Sequence, residues 1–308
     1  MIERHRDWRP GRPVPLDSIL GPLRRGAGDP TYAAGPGSVW RAVHTPEGPA
    51  TVHFRTGPAN GTVTISGYGP AADWVVDHGP TMLGADDDPL GFQPDHAALT
   101  RAWRRHSHWR VPRSGLVFEA IVAASLEQKV TGREAWDGWR RLVRRFGQPA
   151  PAPAGAPALM VMPPPSVVRS IASWDWLQMG IDGARSRVAV RAAVRADSLQ
   201  RTLHVPVSEA EAALRSLPGV GRWTAAEVRQ RAHGDADAVS FGDYHLASSV
   251  GHALTGESVD DAGMAALIEC YRPHRYRVQR LVELAGIAAP RRGPRMSPRT
   301  HLPRPARR

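Results

Sequence analysis

The chain has 308 residues, 42% of them hydrophobic, which is enough for two or three packed domains, and its single cysteine excludes an internal disulfide or a four-thiolate iron–sulfur or zinc cage. No stretch reaches the roughly 18 consecutive apolar residues of a membrane span, and the opening residues MIERHRDWRPGRP lack the apolar core of a secretory signal, so a cytoplasmic protein is expected, with Cys270 a small buried side chain. The formal charge of +11 points to a polyanionic partner, but residues 291–308 hold seven arginines and no acid, leaving 33 basic against 29 acidic side chains in residues 1–290.

In chain order, three alternating runs come first: SVWRAVH at 38–44, ATVHFRT at 50–56 and TVTISGY at 62–68. They read as an antiparallel meander, with Asn60-Gly61 a hairpin-turn signal. From residue 116 onward the periodicity is helical, over 116–129, 133–146, 167–177, 184–196, 209–216, 222–233, 244–254, 259–271 and 273–285. Ser208 and Glu211 form a capping-box pattern, Asp243 and Ser258 are N-cap residue types, and Gly147, Gly180, Gly234 and Gly286 stand where helices should stop. The Ala/Pro-rich segment 148–165 reads as an extended connector. These patterns give a mostly α protein with an N-terminal α+β domain: residues 1–112 carry the antiparallel sheet, 113–290 form a helical body, and 291–308 form a basic disordered tail able to add phosphate contacts.

The chemistry concentrates in LRSLPGVGRWTAAEVRQRAHGDADAVSFGD, residues 214–243. Leu217-Pro218-Gly219-Val220-Gly221 is a sharp turn between two short helices, and its glycines allow backbone angles and close approaches that a Cβ forbids. Amides of Gly219, Gly221 and Thr224 would lie at the N-terminus of the second helix, where a phosphate is favoured whatever the base sequence. A purely structural helix–helix turn is the competing reading. Asp243, ahead of the next helix, suits an N-cap worth about 1 kcal/mol as well as a catalytic carboxylate, and the two roles are compatible. Asp235 and Asp237 read as loop residues.

LPGVGRWTA, followed after a loop by an aspartate at a helix start, resembles the hairpin and catalytic loop of helix-hairpin-helix DNA glycosylases, and is most similar to the inducible 3-methyladenine-DNA glycosylase subfamily. LEQKVTG at 126–132, MGIDGARSRVAVRAA at 179–193 and YRPHRYRVQRL at 271–281 resemble further motifs of that subfamily. The resemblance implies Asp243 as the catalytic aspartate, Trp223 in the base pocket with Tyr271 and Trp136 as further aromatic candidates, and Gly219, Val220, Gly221, Thr224, Gln128 and Lys129 at the DNA. It implies an alkali cation on the backbone carbonyls of Arg215, Leu217 and Val220, with no cofactor required and no iron–sulfur cluster. Gln128 and Lys129 fall where relatives insert a wedge into the gap left by a flipped nucleotide, and His274 where relatives often carry a ring.

Relatives that also cleave the backbone hold a lysine nucleophile at the position of Trp223. Its absence implies a monofunctional enzyme, and the only lysine of this chain, Lys129, is far from the hairpin in sequence. The expected function is hydrolysis of the N-glycosidic bond of flipped-out alkylated purines in double-stranded DNA, in base-excision repair by a cytoplasmic monomer. A non-catalytic hairpin DNA-binding protein, a glycosylase for a different lesion and a glycosylase with lyase activity are the alternatives.

Overall fold

The computed structural model describes residues 2–57 and 61–289. Asn60 of the expected turn and the arginine-rich tail lie outside the described residues. Strands β1 (Glu3–Trp8), β2 (Tyr32–Gly35), β3 (Ser38–Thr45), β4 (Gly48–Thr56) and β5 (Val63–Tyr68) form an antiparallel sheet in the order β1-β5-β4-β3-β2, with a short helix α1 (Leu16–Leu20) between β1 and β2. The meander β3-β4-β5 follows the expected alternation: Val39, Val43, Val52, Phe54, Val63 and Ile65 are buried on its inner side. Helix α2 (Ala72–Met82) closes that side so tightly that a Cβ at Gly67 would lie 2.5 Å from the Ala72 carbonyl oxygen. Arg41, buried in β3, pairs with Glu119, which fastens the sheet to the helical part.

The helical part runs α3 (Ala97–Arg105), α4 (Val117–Glu127), α5 (Gly132–Phe146), α6 (Pro165–Val168), α7 (Ser173–Gln178), α8 (Gly183–Val194), α9 (Ala196–Gln200), α10 (Val207–Arg215), α11 (Arg222–Val228), α12 (Leu246–Thr255), α13 (Asp261–Ile268) and α14 (Arg275–Leu284). Three apolar clusters organise it. Val122, Trp139, Leu142, Met162, Trp176 and Ile181 knit α4 and α5 to α7 and α8. Ile121, Val188, Leu214, Leu217 and Val228 join α4, α8, α10 and α11. Leu99, Leu246, Val250, Ile268, Val278 and Leu281 join α3 to α12, α13 and α14.

Several local expectations are corrected. The helix expected at 167–177 is two short ones, α6 and α7, and the ends of the 148–165 connector pair as two-residue strands, β6 (Gln148–Pro149) and β7 (Met160–Val161). No Ser208 cap forms, because α10 begins at Val207, two residues earlier than expected, behind Pro206. The true capping box is Thr131 with Glu134, at the head of α5. Asp260 rather than Ser258 caps α13. Cys270 is exposed, since it sits on a short 3-10 turn, Glu269–Tyr271, that follows α13.

Candidate active site and nucleic-acid interface

Helices α10 and α11 meet at the turn 216–221. Leu214, Leu217 and Val220 are buried against α4 and α8, while Pro218, Gly219 and Gly221 are exposed at the tip. Gly219 has φ +96°, and a Cβ there would lie 2.5 Å from Val188 Cγ2, so both conformation and packing require glycine. Gly221 differs: its backbone is ordinary (φ −90°, ψ −174°) and a Cβ would meet nothing within 4 Å. What its missing side chain provides is open approach to the first amides of α11, which has no side-chain cap. Thr224 is itself buried, so of the expected phosphate donors Gly219 and Gly221 are the ones at the surface.

Two side chains brace the turn. Arg191 of α8 donates to the Pro218 carbonyl at 3.0 Å, and Gln128 Nε2 donates to the Gly219 carbonyl and the Thr224 hydroxyl, each at 2.9 Å. The segment 126–132 is therefore in contact with the hairpin, and the sequence distance of Lys129 from it is erased by folding. Exposed Arg187, Arg191, Arg215, Arg222, Lys129 and Arg133 lie on the elements that meet at this turn.

From α11 the chain continues through a π-turn (Arg229–His233), stops at Gly234 in the left-handed region, and crosses a loop to Asp243. The loop is held by polar groups that the sequence reading did not single out. Ser240 is its hub: its hydroxyl donates to Glu227 Oε1 at 2.5 Å and accepts from Gln230 at 2.8 Å, while its amide donates to Gln279 Oε1 at 3.1 Å. Gln230 also donates to the Ala238 carbonyl at 2.7 Å. Asp235 pairs with Arg229, and Asp237 pairs with Arg275 at 2.6 Å and Arg272 at 3.2 Å, so both are structural anchors, as their loop reading implied. The only sequence signal for this network was Glu227 and Arg231 at i,i+4 spacing, paired here at 2.6 Å.

Asp243 is half-buried at the end of this loop. Its Oδ1 accepts from the His245 and Leu246 amides at 2.8 and 3.0 Å, a turn that precedes α12, whose N-cap is His245 and not Asp243 as expected because the helix starts two residues later, and the preceding Gly242 amide is held by Asp261 Oδ2 at 2.7 Å. Both carboxylate bonds fall on one oxygen, leaving Oδ2 for other work. Burial pushes the Glu227 carboxyl up, against the pull of Arg231, with Glu127 adding to the rise.

The aromatic candidates are dispersed. Trp223 is half-buried on the first turn of α11, against the core shared by α4 and α10. Tyr271 is 4% exposed among the residues around α12 and α14, with its hydroxyl 2.5 Å from His96 Nδ1. Trp136 is 38% exposed on α5, and its indole covers Gly26. His274 is buried, edge-on to Phe92, with Nε2 3.3 Å from the Leu90 carbonyl oxygen. Phe241, two residues before Asp243, carries the Arg222 guanidinium 4.5 Å over its ring.

No family model matches the chain. It is 31% identical over 173 residues to a Mycobacterium tuberculosis protein described as a "probable bifunctional transcriptional activator/DNA repair enzyme AlkA", an alignment covering 54% of this chain and 34% of the relative. The chain thus spans about a third of the length of the curated relatives it matches. Among solved structures, a 3-methyladenine DNA-glycosylase from Archaeoglobus fulgidus superposes with TM-score 0.75 at 17% identity, over 91% of this chain and 98% of that one. The fold is that of the helix-hairpin-helix DNA glycosylases. The same fold is shared with MBOgg1 in complex with a low-affinity DNA ligand (TM-score 0.70, 16% identity, 93% and 98% covered). It is shared too with the apo 8-oxoguanine glycosylase/lyase of Clostridium acetobutylicum (0.68, 12%, 92% and 98%). Among the described residues no helix is long and apolar enough to cross a membrane.

Proposed function

We propose that this chain is a DNA N-glycosylase that hydrolyses the glycosidic bond of flipped-out alkylated purines in duplex DNA, acting as a monomer on cytoplasmic DNA. The observation that carries the reading is Asp243. Its carboxylate is fixed through Oδ1 at the head of α12, on a loop that springs from the second helix of a hairpin whose tip exposes Gly219 and Gly221. The similarity to the mycobacterial DNA-repair protein and the shared fold support it.

The hairpin and its arginines would hold the DNA backbone without reading sequence. A target inside the stack exposes neither its C1′ nor its base, so the nucleotide must be extruded toward α11, where Trp223 offers an aromatic face to an electron-poor purine. N-alkylation makes the purine cationic and a good leaving group. As the C1′–N bond breaks, positive charge builds on the sugar, and a fixed carboxylate stabilises that charge and takes a proton from the attacking water. Base release needs no lysine, since α11 presents Trp223 rather than an amine.

The turn also suits the implied alkali cation. Side chains occupy the Pro218 and Gly219 carbonyls, whereas the Leu217 carbonyl accepts only the Val220 amide within the turn and keeps a second lone pair. Together with the Arg215 and Val220 carbonyls it would form a set of neutral oxygen ligands, the kind that hard cations prefer. A cation there would supply positive charge toward a DNA phosphate.

The test is release of 3-methyladenine and 7-methylguanine from alkylated duplex DNA by the native chain and by Asp243→Asn. Asparagine keeps an Oδ1 acceptor for the His245 and Leu246 amides, so the variant should fold and bind DNA while excision falls by about a hundredfold or more, the scale of losing one preorganised electrostatic group. Binding by both proteins with release by neither would establish the non-catalytic DNA-binding alternative for these lesions.

A further inference from the structure

Helix α5 leaves the loop that Gln128 ties to the hairpin, so its first turn starts beside the tip that exposes Gly219 and Gly221. It is the longest helix among the described residues, and it is sharply two-sided. Ala135, Gly138, Trp139, Leu142 and Val143 are buried on one side. On the other side Arg133, Arg140 and Arg144 stand at i, i+7 and i+11, which at 3.6 residues per turn puts them within about 40° of one line and spreads them over about 16 Å. Arg133 and Arg144, at the two ends of that line, are exposed. Helix stability does not account for this face. Arg133 sits in the first turn, where the helix dipole disfavours a cation, and Arg140 with Arg144, like Arg141 with Arg145, sets like charges at the i,i+4 spacing that weakens a helix. Acids do not balance it either. Glu134 closes the capping box, Asp137 alone serves both Arg140 and Arg141, at 3.2 and 2.7 Å, and Asp175 of α7 pairs with Arg145.

We infer that this face of α5 is a second contact for the phosphate backbone of duplex DNA, carrying the duplex away from the hairpin over roughly five further base pairs on one side of the target nucleotide. A polyanion is the partner that an under-neutralised line of cations fits, and the face is continuous, through the loop at Gln128, with the hairpin edge. Each guanidinium presents a planar fork of donors to phosphate oxygens, and such contacts read no base sequence. Arg140 is braced for this by its bond to the Ala27 carbonyl at 3.1 Å, which fixes the middle of the line against the loop that follows α1. The hairpin then holds the backbone at the target, and α5 sets the direction in which the duplex leaves it. The inference rests on reading the hairpin edge as the DNA-facing surface and on no chemistry at Asp243.

The test measures binding of the full chain, by fluorescence anisotropy across a salt series, to duplexes carrying a tetrahydrofuran abasic analogue, so that it needs no base excision. One duplex has long arms on both sides of the analogue, and two others are cut short on one side or the other. On the long duplex Arg133→Gln and Arg144→Gln should each lower the slope of log affinity against log salt by about one, the signature of one lost phosphate contact, with thermal melting unchanged. For Arg144→Gln, at the far end of the line, the loss should vanish on one truncated duplex and persist on the other. Arg55→Gln removes the same charge from β4 of the sheet and should leave the slope as it is in the native chain. Native slopes in both α5 variants would overturn the inference and leave this face to solvent or to an acidic protein. An equal loss in Arg55→Gln, or an Arg144→Gln loss that persists on both truncated duplexes, would overturn it too. A native chain that bound none of the duplexes would remove the DNA-facing reading of the hairpin along with it, whereas base release from alkylated DNA, assayed separately, reports on the glycosylase reading.

Discussion

The Ser240 hydroxyl donates to Glu227 Oε1 at 2.5 Å, and this contact fixes the loop that carries Asp243 to the second helix of the hairpin. Glu227 and Ser240 are both buried, so removing the hydroxyl leaves a carboxylate and the Gln230 amide short of a partner, at a cost of about 1–3 kcal/mol. Ser240→Ala should therefore be destabilised by that amount in urea unfolding. If the contact also sets the position of Asp243, single-turnover base release should fall by about ten- to a hundredfold at saturating enzyme, with DNA affinity held within about twofold. An equal loss in affinity and rate would show instead that the whole hairpin had shifted.

The two hairpin glycines should separate conformation from access. At Gly219 an alanine meets both the positive φ and Val188, so Gly219→Ala should lose at least about 1–2 kcal/mol of stability. At Gly221 neither obstacle exists, so Gly221→Ala should melt within about 1 °C of the native chain, a shift far smaller than the 2–4 °C that 1 kcal/mol produces in a domain of this size. If the α11 amides receive a phosphate, Gly221→Ala should still weaken DNA binding several-fold, since its methyl stands where the backbone must approach. Unchanged binding in Gly221→Ala would remove the turn amides from the interface.

Gln128 gives a sharper test of how the loop before α5 supports the hairpin. Its amide donates to a carbonyl and a hydroxyl, and glutamate, an acceptor only when ionised, cannot replace it at Gly219. Gln128→Glu sets a negative charge against the Gly219 carbonyl and beside the expected DNA backbone, whereas Gln128→Ala only removes the brace. Duplex affinity should fall in the order native, alanine, glutamate, and the glutamate deficit should shrink as salt is raised, because screening acts on the charge and not on the lost brace. Equal, salt-independent deficits in the two variants would place Gln128 away from the phosphates.

Periodicity revealed those parts of the molecule that are amphipathic. The strands β3 to β5 and the helices α5, α8, α10 and α12 to α14 each bury one face, and that alternation is printed in their residues, whereas α4 is buried nearly all round and shows as an apolar run. Elements without it escaped. Strand β1 is exposed along almost its whole length and reads as a charged terminus, β2 is only Tyr-Ala-Ala-Gly, and α2 contains Gly79-Pro80, which signals a break. The hairpin and Asp243 were legible because turn chemistry is local. The Ser240 hub, the Gln128 brace and the placement of Lys129 were not, since each depends on side chains meeting across 10 to 100 positions of sequence. Tyr271 and Trp136 were legible only as residue types: that Tyr271 packs in the core around α12 and α14 and that Trp136 lies over Gly26 depends on contacts across the chain.

Acid sensitivity should trace in part to His233, at the end of the π-turn that leads into the Asp243 loop. Burial pulls its imidazole down to about 4 from 6.5, helped by Arg229 and Arg113, while its Nε2 bonds to the Thr202 hydroxyl at 2.9 Å. The unfolded chain binds a proton at this site at a higher pH than the folded chain does. Its contribution to stability is therefore fully present above about pH 6.5 and is lost as pH falls from there through about 4. With a shift of this size the loss is on the order of 3 kcal/mol. His53, also lowered to about 4 chiefly by burial, acts in the same direction from the sheet. Urea midpoints of the native chain should drop across this window, and His233→Gln, which can still bond to Thr202, should flatten the lower part of the profile while leaving that of His53 in place. A native and variant profile that run parallel between pH 4 and 6.5 would show that His233 titrates alike in the folded and unfolded chains.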